Sequence, residues 1–162
     1  MREGELTLIS DSTERTIEIG MRLGEKLEPG DIISLMGDLG SGKTCFAKGV
    51  AIGLEVDERY ISSPSFIIVN IYPARYPVFH IDLYRLSESE EIEEVGIVEM
   101  IEEGEGIYLV EWADRMIELL PPERLDVHLT WMDETRREIK MIGRGERYAY
   151  VLKELKGCLS WG

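Results

Sequence analysis

Gly37-Asp38-Leu39-Gly40-Ser41-Gly42-Lys43-Thr44 matches the phosphate-binding loop pattern G-x-x-x-x-G-K-[ST] at every fixed position. In such a loop, glycines let successive backbone N–H groups turn inward around a phosphate, and the following helix N-terminus adds partial positive charge. Lys43 is expected to reach the outer phosphates, and the hydroxyl of Thr44 is expected to bind Mg2+. The sequence therefore predicts a site for a nucleoside triphosphate with magnesium.

The residues on both sides of this loop have the patterns that the motif requires. Residues 31–36 form a nearly continuous apolar run, which is typical of a parallel strand buried on both faces. After the loop, Phe46, Val50 and Leu54 recur every four residues and predict one face of a helix. We expect an α/β fold of the P-loop NTPase type, a three-layer sandwich with a mixed, mainly parallel sheet and an inserted antiparallel hairpin.

The remaining elements are predicted from periodicity and from turn residues. Asp11 with Glu14 resembles a capping box that opens a helix through Leu27, with Ile17, Met21 and Gly24 on its inner face. Pro73-Ala74-Arg75-Tyr76 separates two strand patterns and predicts a hairpin. The expected strands are 6–9, 31–36, 66–72, 77–83, 107–111, 125–132 and 137–143, and the expected later helices are 88–94, 97–103, 114–120 and 146–156.

Length and composition favour a single domain over residues 1–162. The chain is 44% hydrophobic, which allows one core to bury most of the surface of the unfolded chain. No apolar run approaches the ~20 residues of a membrane span, and the acidic start of the chain lacks the basic region of a signal peptide. We expect a cytoplasmic protein in which Cys45 and Cys158, without metal-site spacing, remain reduced thiols.

The net charge of −14 argues against direct binding to nucleic acid, because affinity for phosphate backbones comes mainly from lysine and arginine. The negative charge favours a basic protein as the partner. The acidic run at residues 88–94 is interpreted as a solvated helix face.

Two carboxylates are candidates for completing the site. Glu111 ends an apolar strand, and Asp82 ends the second strand of the predicted hairpin. Strand carboxyl ends converge on the nucleotide crevice in open α/β sheets, where an acid commonly holds Mg2+ or positions the nucleophile. The sequence leaves open which of the two touches the metal.

Four blocks in the same order give a family resemblance: Gly37 to Thr44, Ser63-Pro64-Ser65-Phe66, His80 to Leu86, and Val110-Glu111-Trp112-Ala113-Asp114-Arg115. Together they resemble the TsaE (YjeE) ATPases of bacterial tRNA threonylcarbamoyladenosine biosynthesis, over about residues 10 to 143. The resemblance implies an ATPase that uses ATP and Mg2+ and acts on a complex of two other proteins, TsaB and TsaD. That complex attaches a threonylcarbamoyl group to adenosine 37 of tRNA, so tRNA would be contacted only indirectly, with no role for DNA or membranes.

The resemblance also implies roles for individual residues. Lys43, Asp82 and Glu111 would be catalytic, and Thr44, Glu111 and Asp82 would hold the metal. Ser65 would be a sensor in a loop, and Trp112 a functional aromatic beside the site. The expected nucleotide contacts are Asp38, Leu39, Gly40, Ser41, Gly42, Lys43, Thr44, Cys45, Ser65 and Trp112.

The chain departs from the usual family pattern at three positions. Ser65 stands where threonine is common, Ala113 where proline is frequent, and Cys45 where another threonine is usual. Serine keeps the hydroxyl, and the other two changes affect packing more than chemistry. His80 is interpreted as a structural residue rather than as a base.

Other classes of nucleotide-binding protein remain as alternatives. A small-molecule kinase would need an arginine-bearing lid, and the only adjacent arginines, Arg136 and Arg137, lead into a predicted strand. A GTPase would need an N-K-x-D motif, which the sequence lacks. A nucleotide-gated adaptor without turnover would share the loop and would be distinguished by the absence of sustained phosphate release.

Overall fold

A mixed β-sheet forms the centre of the computed structural model, which describes residues 3–38, 40–61, 68–86 and 96–159. Its seven strands are β1 (Glu3–Ser10), β2 (Ile32–Met36), β3 (Val69–Tyr72), β4 (Val78–Asp82), β5 (Ile107–Glu111), β6 (Arg124–Trp131) and β7 (Arg137–Arg144). They lie in the order β1-β7-β6-β2-β5-β4-β3. The neighbours β4, β5, β2 and β6 run parallel, whereas β1–β7, β6–β7 and β3–β4 pair antiparallel. The β3–β4 pair is the predicted hairpin.

Helices cover both faces of the sheet. They are α1 (Thr13–Gly24), α2 (Lys43–Gly53), α3 (Glu58–Ile61), α4 (Ile97–Glu103) and α5 (Glu146–Leu159), with a 3-10 segment at Ala113–Leu119. Alternate residues of β5 enter two different buried clusters: Leu109 packs with Phe46 of α2, and Val110 packs with Ile97 of α4. Because alternate strand residues point to opposite faces, the clusters are the two cores of a three-layer α/β sandwich, which confirms the predicted fold class.

Most of the predicted elements are found within two or three residues of their expected bounds. The segment expected to be helical at 114–120 is a 3-10 segment, and the last helix extends to Leu159 rather than ending at residue 156. The predicted helix at 88–94, with its acidic face, lies outside the described residues. No helix of the described chain combines the length and apolar character that crossing a membrane requires.

The first helix differs from the prediction in its start, its end and its buried face. Ser12, not Asp11, is the N-cap, since its side chain accepts a hydrogen bond from the Arg15 N–H at 3.0 Å. The helix ends at Gly24 instead of Leu27. Met21 is 36% exposed and Ile17 is partly buried, so of the three predicted inner residues only Gly24 is buried. The buried residues are Thr16, Ile19, Gly20, Leu23 and Gly24.

Close backbone contact between α1 and α2 explains this buried face. A Cβ added to Gly49 would lie 2.1 Å from the carbonyl oxygen of Ile17, and one added to Gly24 would lie 2.3 Å from that of Val50. These distances leave no room for a side chain, so glycine is required by the approach of the two backbones. The contact fixes α1 against the helix that follows the phosphate loop.

We expect Gly49→Ala to lower the free energy of unfolding by about 1–3 kcal/mol, because the added methyl group must push α1 away from α2. Denaturant unfolding would measure the change. The matched control is Gly157→Ala in α5, where an added Cβ meets no atom within 4 Å. There the same substitution should be neutral or should stabilise by about 0.5–1 kcal/mol. Equal unfolding midpoints for the two variants would contradict the close-contact explanation.

Candidate nucleotide site

The phosphate loop connects the end of β2 to the first residue of α2. Gly37 and Gly42 have φ values of 149° and 102°, which an L side chain rarely adopts. A Cβ at Gly37 would also lie 2.3 Å from the carbonyl oxygen of Leu129, so the loop rests directly on β6. The glycines therefore give the loop both its turn and its close contact with the sheet.

Lys43 lies at the centre of the loop and is only 5% exposed. Its Nζ donates hydrogen bonds to the carbonyl oxygens of Gly37 and Asp38, the latter at 2.9 Å, and lies 3.4 Å from the Oγ of Ser41. The same ammonium lies 4.0 Å from the centre of the Trp112 ring, within the range of a cation–π contact. The lysine is thus held inside the loop by neutral groups.

The charge of Lys43 is incompletely compensated by its surroundings. Burial lowers the pKa of its ammonium, and the negative charges of Glu111, Asp114 and other nearby carboxylates oppose that shift without cancelling it. A phosphate placed against the ammonium would favour the charged form. The electrostatics of the loop therefore suit an anionic ligand.

Glu111 is the last residue of β5 and is 3% exposed. Its Oε1 accepts a hydrogen bond from the hydroxyl of Thr44 at 3.0 Å. Its Oε2 lies 2.5 Å from the Nε2 of His80, and the Nδ1 of His80 lies 2.8 Å from the hydroxyl of Tyr72. A chain of contacts therefore connects the phosphate-loop hydroxyl to the edge strand β3.

Asp82 lies beside Glu111 because the two residues are register partners in the parallel pair β4–β5. Its Oδ1 accepts a hydrogen bond from the N–H of Tyr84 at 3.0 Å, in the turn that follows β4. Both carboxylates line a cavity of about 610 Å³ next to the phosphate loop. The cavity also contains Gly40, Gly42, Lys43, Thr44, Cys45 and Trp112 in its wall.

Arg115 holds the turn after Asp82 in place. Its Nη1 donates to the carbonyl oxygens of Leu83, at 3.2 Å, and Leu86, at 3.0 Å, and also to that of Tyr84. Its guanidinium lies 5.2 Å from the centre of the Trp112 ring. The side chain therefore ties the end of β4 to the residue that follows β5.

A protein-family model matches most of the sequence that forms this site. The model described as "Threonylcarbamoyl adenosine biosynthesis protein TsaE" matches residues 10–139. The chain belongs to the TsaE family. It therefore has a role in the biosynthesis of tRNA threonylcarbamoyladenosine, and the family and the phosphate-loop fold together imply nucleotide binding.

Relatives in the TsaE family match most of the chain. The tRNA threonylcarbamoyladenosine biosynthesis protein TsaE of Bacillus subtilis is 39% identical over 143 residues, which are 88% of each chain. The protein of the same name from Treponema pallidum is 36% identical over 131 residues, covering 81% of this chain and 96% of that one. The crystal structure of Bacillus subtilis YdiB superposes with a TM-score of 0.79 at 33% identity and covers 98% of both chains.

Most of the predicted site residues come together around the cavity. Lys43, Thr44, Asp82, Glu111 and Trp112 all line it, and so do Gly40, Gly42 and Cys45. Asp38 and Ser41 contact Lys43 from within the loop. Leu39 and Ser65, two further expected nucleotide contacts, lie outside the described residues. Neither Cys45 nor Cys158 forms a disulfide in the structure.

Sequence reasoning missed residues on the opposite wall of the cavity and behind Glu111. The start of α1 and the β6–β7 turn contribute wall residues that belong to no nucleotide-binding motif: Asp11, Ser12, Thr13, Glu14, Thr16, Glu134, Thr135 and Arg137. Tyr72 and His80 lie behind Glu111. A signal for His80 was present, because residues two apart in a strand share a face and His80 precedes Asp82 by two.

The acidic groups of the site do not form a complete metal cage. Within the described ranges, no three His, Cys, Asp or Glu side chains are grouped closely enough to hold a metal ion. A cation in this cavity would need ligands from a bound nucleotide or from water. Such shared coordination is typical of Mg2+ in phosphate-transfer sites.

Proposed function

We propose that this chain is an ATPase that supports modification of adenosine 37 in tRNA by acting on a TsaB–TsaD complex. The observation that carries the proposal is the 3.0 Å contact between the Thr44 hydroxyl and Glu111, with Lys43 buried beside it. It places an acid at the carboxyl end of a parallel strand next to the loop hydroxyl. This is the arrangement in which phosphate-loop enzymes hold a metal-bound nucleoside triphosphate.

The donor set suits Mg2+. Thr44, Glu111 and Asp82 supply hydroxyl and carboxylate oxygens, the ligand type that this hard cation prefers. Thr44 would hold the ion together with one carboxylate, directly or through water, and the phosphates would complete its coordination. The ion, when bound, neutralises charge on the outer phosphates.

The side chains of the cavity have separable roles in this proposal. Lys43 exchanges its contacts with the loop carbonyls for the outer phosphates of ATP. Asp82 or Glu111 orients the attacking water, and the other acid binds the metal. Trp112 covers the Lys43 ammonium and reduces its exposure to water, which strengthens its attraction to the phosphates.

Turnover by the isolated chain should be slow, because the arginines near the site are engaged elsewhere. Arg115 donates to the carbonyls of the 83–86 turn, and the Nη1 of Arg137 donates to the carbonyl oxygens of Asp133 and Arg136. An arginine that reaches the transferred phosphate can raise turnover by roughly 10^3–10^5 in well-studied phosphate-loop systems. We propose that the TsaB–TsaD pair supplies or orders such a group.

The net charge of −14 indicates the chemistry of the surface that binds this chain. A basic surface on the TsaB–TsaD pair would be attracted to it, and the attraction would weaken as salt screens the charges. Free tRNA would be repelled. Contact with tRNA is therefore proposed to be indirect.

We expect the TsaB–TsaD pair to bind the chain and to raise its rate of phosphate release, while free tRNA binds weakly or not at all. A phosphate-release assay with and without the pair, and calorimetry at low and moderate salt, would measure both effects. Binding should weaken as salt rises. Tight tRNA binding by the isolated chain, or a pair that changes neither assay, would overturn the assignment.

A further inference from the structure

We propose that His80 and Tyr72 are positioning residues that hold the Glu111 carboxylate in its working orientation. The inference rests on the proposed ATPase function and deepens it, since it concerns how one acid of the site is kept in place. Neither side chain lines the nucleotide cavity. The cavity residue that His80 contacts is Glu111.

The two oxygens of Glu111 have different partners. Oε1 accepts from Thr44, and Oε2 faces the Nε2 of His80. If the Thr44 hydroxyl turns to a metal, Oε1 loses that donor. His80 then remains as the side chain, among those described, that holds the carboxylate from behind.

The direction of the hydrogen bonds follows from the acceptors. A carboxylate cannot donate, so the Nε2 of His80 carries the proton and donates to Glu111. In the neutral imidazole, Nδ1 then accepts from the Tyr72 hydroxyl at 2.8 Å. Burial, assisted by the negative charge of Glu111, raises the pKa of Tyr72 to about 12, so its phenol keeps the proton that this contact requires.

The backbone explains why these residues meet. His80 lies two residues before Asp82 on β4, so the two side chains lie on the same face of the sheet. Tyr72 lies on the antiparallel partner β3, where it is 4% exposed, and its ring centre is 5.8 Å from that of His80. The hairpin therefore brings the buried Tyr72 and the partly buried His80 to the back of Glu111. Supporting partners of this kind commonly change metal affinity or activity by about 10–100-fold when removed.

Three variants test the proposal. His80→Phe removes both ring nitrogens, His80→Gln keeps an N–H near the position of Nε2, and Tyr72→Phe removes only the hydroxyl. The first should lower kcat about 10-fold or more and raise the Mg2+ concentration needed for tight nucleotide binding. Nucleotide affinity measured in excess chelator should not change. His80→Gln should recover most of the loss, and Tyr72→Phe should show a smaller effect of the same kind.

The controls are the same substitutions elsewhere in the chain. His128→Phe on β6 and Tyr150→Phe on the exposed face of α5 should leave both readouts unchanged. Wild-type Mg2+ dependence in both His80→Phe and Tyr72→Phe would overturn the proposal. So would a His80→Gln variant as impaired as His80→Phe. If His80→Phe does not fold, the proposal is tested by the kcat and the Mg2+ dependence of binding of Tyr72→Phe and His80→Gln.

The binding readout also separates this inference from the proposed function. If the wild-type chain binds Mg2+–nucleotide without turnover, the ATPase proposal fails. The Mg2+ dependence of binding still shows whether His80 positions Glu111.

Discussion

Lys43→Ala is expected to lower ATP turnover by about 100-fold or more. Lys43 is 5% exposed and its ammonium is held inside the loop by carbonyl groups, so its charge is already placed before the phosphates arrive. Alanine removes that charge from a site where little water can replace it. Steady-state phosphate release at saturating ATP would measure the loss.

Lys48→Ala is the matched control, because Lys48 lies in the same helix and outside the cavity. It should keep wild-type turnover, and both variants should show cooperative thermal unfolding. Phosphate release by Lys43→Ala equal to that of the wild type would exclude the phosphate loop from the reaction.

The second large effect concerns the two carboxylates. Glu111→Gln and Asp82→Asn should each reduce turnover by about 100-fold, because each removes a negative charge from a partly dry site. If Glu111 holds the metal, Glu111→Gln should also weaken nucleotide binding in Mg2+. If Asp82 positions the water, Asp82→Asn should bind ATP normally. Calorimetry with and without Mg2+, combined with phosphate release, would separate the two roles.

Glu118→Gln supplies the control for these changes, since Glu118 is an exposed acid of the 3-10 segment. It should leave binding and turnover unchanged. Full activity in both Asp82→Asn and Glu111→Gln would remove these acids from the mechanism. If Asp82→Asn weakened nucleotide binding in Mg2+ and Glu111→Gln bound ATP normally, the metal would instead be assigned to Asp82.

The phosphate loop and the central strands could be predicted because their signals are local. Glycines at positive φ, a lysine at a fixed spacing and a nearly continuous apolar run all lie within residues 31–44. The acids Asp82 and Glu111 could be predicted because the ends of parallel strands meet at one edge of a sheet. They are in fact register partners.

The buried face of α1 could be predicted only in part: Ile19 and Leu23 carry an apolar signal, but Gly20 and Gly24 carry none. Gly20 and Gly24 are buried because the backbone of α2 lies directly against them, whereas Met21 is 36% exposed although it is apolar. Asp11 and Ser12 are both residue types that commonly cap a helix N-terminus. Sequence pattern alone does not choose between them.

The contact between His80 and Glu111 depends on information that the local pattern lacks. The residues are 31 positions apart, and Tyr72 lies on a third strand. Their meeting requires the strand order β5-β4-β3 and the registers of both pairs. The sequence shows that His80 shares a strand face with Asp82, but not which residue of a neighbouring strand it contacts.

The glycine contact between α1 and α2 has a mechanical consequence for the nucleotide cavity. Side chains between two helices act as a compliant layer that can repack, but here backbone touches backbone at Gly24 and Gly49. The starts of both helices form walls of the cavity, through Thr13 and Thr44 among others. Because no side chain separates the two backbones there, a displacement of α1 has no intervening side-chain layer to absorb it before it reaches the helix that follows the phosphate loop.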